Sequence, residues 1–138
     1  MNRTIFATGI LALMGCLSLG AQSIRLQATI PFEFRVGQHL MPPGEYMVTH
    51  STGVLTFRTE TGKPKAAIIL VRGTQKGSGD STKNQLVFNR YGEDYFLSQV
   101  WQSGISTGLA VNPGKIEKEL ITGRAASVQT AAVNLRAQ

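Results

Sequence analysis

LVFNRYGEDYFLSQVW, residues 86–101, places five of the chain's ten aromatic residues within sixteen positions and sets a glycine near the middle. Leu86 and Phe88 share one side of an extended chain, with Val87 and Asn89 on the other. Tyr91-Gly92-Glu93-Asp94 supplies a reversal. Tyr95, Leu97, Gln99 and Trp101 then return on one side, with Phe96, Ser98 and Val100 opposite. The reading is a β-hairpin that is apolar on both faces, so it belongs at the centre of a fold, covered from two sides. Its aromatics are expected to be core and not a strip that meets a partner.

The segments before it follow the same period. Ile24, Leu26, Ala28 and Ile30 alternate with Arg25, Gln27 and Thr29, and after Pro31 the beat resumes with Phe32, Phe34 and Val36. Pro42-Pro43-Gly44-Glu45 has the chemistry of a type II turn. Tyr46 and Val48 alternate on the next strand, Ser51-Thr52-Gly53 turns, and Leu55 and Phe57 continue. AAIILV, residues 66–71, is apolar at every position and predicts a strand covered on both sides. Residues 73–84 are polar and glycine-rich, a surface loop read as an inert connector.

Residues 102–111 predict a turn and a last short strand. Asn112 and Pro113 then fit the start of a helix. Ile116 and Leu120 lie one turn apart, and Ile121, Ala125, Val128, Ala132 and Leu135 extend a helical stripe weakened by Gly123. Seven or eight short strands with turns about 8 to 12 residues apart predict an all-β fold, an antiparallel sandwich or small barrel with a C-terminal helix. The expected organisation is a signal peptide over 1–21, a β-domain with its short helix over 22–122, and a weakly structured or helical tail over 123–138.

The signal peptide rests on Arg3, the apolar run from Ile5 to Met14, and the small residues of Ser18-Leu19-Gly20-Ala21. A spanning helix needs roughly 20 consecutive apolar residues, and this run is shorter. Leu13-Met14-Gly15-Cys16 also resembles a lipobox, which makes Cys16 a candidate lipidation site. That anchor is the one route to a membrane the sequence offers. With Cys16 in the leader, the folded part has no disulfide.

The chain carries 14 Lys and Arg against 8 Asp and Glu, a net charge of +6. The cations are scattered singly, with no basic stripe and no nucleic-acid-binding module, so no nucleic acid is expected. His39 and His50 are the two histidines. Neither has a paired ligand spacing, so no metal site and no cofactor are expected. The acids fall at turns, exposed strand positions or the helix, where nothing raises a carboxyl pKa for acid–base work. No catalytic residue emerges, and the protein is expected not to be an enzyme.

Ile30-Pro31-Phe32-Glu33-Phe34-Arg35-Val36-Gly37, Pro42-Pro43-Gly44-Glu45-Tyr46, Leu86-Val87-Phe88-Asn89-Arg90-Tyr91-Gly92, Tyr95 to Trp101 and Glu117-Lys118-Glu119-Leu120 form an ordered series. It resembles a family of small exported, acidobacterial-type β-rich proteins of uncharacterised function, with the pattern PFxFxVG, LPxGxY, FxRYGxxYFLxxVW and ExEL. Met41-Pro42-Pro43 stands where that pattern has Leu-Pro-Ala. The resemblance spans about residues 28–121 and implies export and the fold, with no activity attached.

The functional expectation is an exported, non-catalytic β-domain of the periplasm, outer envelope or secreted fraction, structural or surface-binding. The alternative is a carrier whose sheet interior accepts a small apolar ligand among Phe34, Tyr46, Phe88, Tyr95 and Trp101.

Overall fold

The computed structural model describes residues 24–62, 64–74, 82–104, 107–123 and 128–137. The expected signal peptide, with Cys16, lies outside the described residues, as does the middle of the 73–84 loop. The chain forms β1 (Ile24–Ile30), β2 (Phe34–Val36), β3 (His39–Met41), β4 (Gly44–Ser51), β5 (Val54–Thr59), β6 (Ala66–Thr74), β7 (Gln85–Tyr91), β8 (Asp94–Trp101) and β9 (Gly108–Val111). Helix α1 (Lys115–Gly123) and β10 (Gln129–Ala137) complete it.

Of the two expected architectures, the barrel is the one formed. Strands run in the order β8-β7-β10-β1-β4-β5-β6-β9, and β9 pairs back onto β8, so eight antiparallel strands close on themselves. Closure leaves no unpaired edge among those eight, which removes the usual route to edge-to-edge aggregation. The β2–β3 hairpin stands outside the ring and joins β8 through the parallel pair Arg35 and Phe96.

The alternation read from the sequence sets the inside of the barrel. Leu26, Ala28, Ile30, Tyr46, Val48, Leu55, Phe57, Leu86 and Phe88 all face one core. Phe34 lies within it: its ring is 5.2 Å from Tyr46 on β4, 6.1 Å from Phe57 on β5 and 5.5 Å from Phe88 on β7. β5 and β7 are opposite walls of the ring, so one side chain from β2 bridges the interior. Val36 and Met41 of the same hairpin are also fully buried, and the hairpin acts as a plug.

Four expectations are corrected. The tail is not a weakly structured or helical segment. Residues 129–137 form β10, seated between β1 and β7. Ala131, Val133 and Leu135 meet the core at strand spacing, and two ladders of hydrogen bonds outweigh a helical pattern made mostly of small residues. The helix begins at Lys115, later than Asn112 and Pro113 suggested.

The 66–71 run is a strand, yet it is covered on one face only: Ala67 is buried while Ile68 and Leu70 stand in solvent. In the 86–101 hairpin the register slips between Val87 and Phe88, so that Val87 opposes Gln99 and Phe88 opposes Leu97. This bulge at Ser98 breaks the strict alternation expected from Tyr95 to Trp101. Leu97 and Val100 both enter the core, whereas Trp101 lies outside that cluster.

Candidate functional site

The five aromatics first considered as a ligand site do not form one group. Phe34, Tyr46 and Phe88 sit together at the barrel centre with no exposure beyond about a hundredth of their surface. Tyr95 is half-buried and stacks on Phe32 at 3.9 Å and 15°, and Phe32 in turn meets Phe88 edge-on at 5.1 Å. Arg90 lies 5.4 Å above the Tyr95 ring, closing a column that runs from the rim to the core. Trp101 is apart from these. Its indole Nε1 donates to Gln99 Oε1 at 2.9 Å, and its ring rests against the backbone of Gly108. Rings in mutual van der Waals contact fill space rather than line it.

The Tyr46 hydroxyl donates to the Pro42 carbonyl, which satisfies the one polar atom that ring carries inward. Burial raises its pKa. His39 is exposed on β3. His50 lies on β4 opposite Leu55 of β5, and its Nε2 is buried without a hydrogen-bond partner among the described residues. No group of three or more metal-ligating side chains occurs among the described residues.

The outside of the barrel is divided into two contrasting walls. On β7 and β8, the outward Val87, Tyr91, Phe96 and Trp101 are all buried. Helix α1 lies on part of this wall through Glu117, a carboxylate only 4% exposed, whose Oε1 accepts from Asn89 Nδ2 and from the Tyr91 hydroxyl, each at 3.1 Å. The Tyr91 phenol is pushed up to about 12, first by burial, then by the Glu117 charge and the hydrogen bond to it. Sequence analysis missed this buried acid, although Ile116, Glu117 and Leu120 form one helical arc and a carboxylate within an apolar arc was the available signal.

Among the described residues nothing comparable covers the wall formed by β4, β5 and β6. Ile68 is 63% exposed and Leu70 75% exposed, side by side on the outward face of β6. Across the ladder Ile68 opposes Thr56 and Leu70 opposes Val54, while Thr56 and Val54 oppose Thr49 and Ser51 of β4. Arg58 lies two residues beyond Thr56, and Arg72 two beyond Leu70. Beside the aliphatic pair is a depression of about 490 Å³ lined by Arg25, Met47, Thr49, Ser51, Thr56 and Arg58, with Thr59 and Glu60 at its end. The Glu60 carboxylate accepts from Gln27 Nε2 at 2.6 Å. A second depression, about 240 Å³ and bounded by Gln27, Glu45, Asn134 and Arg136, continues over β1 and β10.

The arrangement offers guanidinium and hydroxyl donors next to exposed aliphatic surface. Comparison with known proteins gives no match to a family model, a curated protein or a solved structure.

Proposed function

We propose that the chain is an exported, non-catalytic β-barrel of the envelope or secreted fraction that works by contact through its outer wall. The observation that carries this reading is the contrast between a filled interior, bridged by Phe34, and an uncovered outer face bearing Ile68 and Leu70. A carrier needs an interior space of roughly 300 Å³ or more for a ligand. In this barrel the rings of Phe34, Tyr46, Phe57 and Phe88 occupy the corresponding position. The apolar, ring-filled interior supports a barrel unlike a membrane-spanning one, whose interior is polar and whose outward face is an apolar band.

The export half of the proposal rests on the leader-like residues 1–21. Fractionation of host cells with intact-mass measurement tests it. The expected species begins at Ala21 or Gln22, or carries a lipid on Cys16. A cytoplasmic chain still beginning at Met1 would exclude export. Native mass spectrometry of the same material tests the interior, with protein mass alone expected. A co-purifying small apolar molecule would instead support the carrier.

A further inference from the structure

We infer that the outer wall of β4, β5 and β6 docks on an anionic lipid surface, with Ile68 and Leu70 entering the acyl boundary and Arg25, Arg58 and Arg72 meeting phosphate groups. This deepens the surface-contact reading and rests on it. Ile68 and Leu70 are adjacent on one strand face and make a contiguous apolar patch, in contrast to singly scattered exposed aliphatics. Here they are bracketed along the strands by Arg58 and Arg72. Among the described residues none of the three guanidiniums is engaged by a carboxylate, and Glu60, which lines the same depression, is hydrogen-bonded to Gln27.

The charge chooses the occupant. Docked face to face, a second copy would set Arg25, Arg58 and Arg72 against the same three arginines, with Glu45 and Glu60 as the acids beside the depressions and Glu60 already hydrogen-bonded to Gln27, so like charges across that interface disfavour it. An anionic amphiphile complements both parts. The depression between Arg25 and Arg58, with the Thr49, Ser51 and Thr56 hydroxyls inside it, has room for a phosphoester headgroup at about 490 Å³. Ile68 and Leu70 project beside it, where the acyl chains of a bilayer begin. The described residues of the wall form a shallow depression beside two exposed aliphatic side chains, a fit to the surface of a bilayer, reached by shallow insertion plus electrostatic attraction. Sequence analysis confined membrane contact to Cys16, and this face provides a route that does not depend on it.

The test is co-sedimentation of the full chain with vesicles of phosphatidylglycerol and phosphatidylethanolamine, beside vesicles of phosphatidylcholine. The N-terminal apolar segment is common to all variants, so differences among them report the wall alone. Parent protein should prefer the anionic vesicles and release as salt rises. Arg58→Gln with Arg72→Gln, and separately Ile68→Ser with Leu70→Ser, should each weaken anionic binding by at least about tenfold. Both pairs should melt like the parent, because these side chains stand outside the core; Leu70→Asn alone serves where a pair folds poorly. Parental binding by both pairs, or equal binding of the parent to both vesicle types, would overturn the proposal. Displacement by soluble glycerol 3-phosphate at matched headgroup concentration would also overturn it, in favour of a free phosphoester ligand. A cytoplasmic Met1 chain sinks the export reading and leaves the vesicle result standing, whereas an exported chain indifferent to vesicles sinks only this inference.

Discussion

The Tyr91 hydroxyl donates to Glu117 Oε1 at 3.1 Å, and that bond fastens α1 to the outer wall of β7. Asn89 donates to the same oxygen at 3.1 Å, so one buried carboxylate is held by two side chains of one strand. Replacing Glu117 with Ala leaves the buried Tyr91 hydroxyl and the half-buried Asn89 amide without their acceptor, at a cost of about 1–3 kcal/mol. Glu117→Gln retains an acceptor and should cost less. Urea unfolding of the two variants beside the parent gives the comparison, and equal midpoints for Glu117→Ala and the parent would remove the helix latch from the account.

The same pair predicts an alkaline transition. Tyr91 is raised from the ordinary 10.0 to about 12 in the fold. A phenol whose folded pKa is raised binds its proton more tightly in the native state than in the unfolded chain. Its stabilising contribution is therefore complete below about pH 10 and is lost as pH rises toward 12. Tyr46, raised by burial, acts in the same direction. Denaturation midpoints of the parent and of Tyr91→Phe should therefore converge across that window. A constant difference between them from neutral to strongly alkaline pH would contradict the assignment.

Chain truncation after Arg124 tests the closure of the barrel. The shortened protein lacks β10, which lies between β1 and β7 and supplies backbone partners to both. Its removal opens the ring and leaves the edges of two strands unpaired beside an exposed core. The truncated chain is expected to aggregate or to lose its cooperative melting transition. A folded, monomeric product with near-parental melting would show that β10 is dispensable.

What could be read in advance follows from how locally each feature is determined. The strands at Ile24–Ile30 and Gln85–Tyr91 are fixed by alternation within their own residues, and the reversal at Gly92 by its turn chemistry. The fate of 129–137 is not local: its alanines and valines satisfy a helical template and a strand template alike, and only β1 and β7 on either side decide between them. The bulge at Ser98 was likewise illegible, because strict alternation assumes one residue opposite one residue. Apolar letters at 66–71 gave strand but not cover, since whether Ile68 and Leu70 meet another segment depends on where α1 settles, and Glu117 ties it to the opposite wall.

Gly108 marks a close approach. A β-carbon there would stand 2.7 to 2.9 Å from three atoms of the Trp101 indole, nearer than real side chains come. Gly108→Ala should therefore displace the ring, lower the melting temperature and shift the tryptophan emission. Pairing it with Trp101→Phe should give a loss smaller than the sum of the single losses, because the two positions share one contact. Additive losses would place the strain elsewhere.

The 86–101 hairpin is the remaining test of core against surface. Phe88 is fully buried and meets Phe32 and Phe34 edge-on, so Phe88→Ala removes a ring from the centre of the barrel with no side chain placed to refill it. The expected cost is about 3–5 kcal/mol, a large part of the stability of a domain of this size. Gly92→Val should also be damaging, since Gly92 holds φ at 66° in the turn between β7 and β8, where a β-branched residue is strained. Trp101 is 3% exposed, and although it stands outside the central cluster it covers the β8–β9 seam that closes the ring. Trp101→Ala should then destabilise as well, while the parent emits as a buried indole. Binding hot spots behave differently, contributing to a complex more than to the free fold. Near-parental melting of both Phe88→Ala and Trp101→Ala, together with water-like emission from the parent, would make this hairpin a recognition surface and displace the β4–β5–β6 wall from that role.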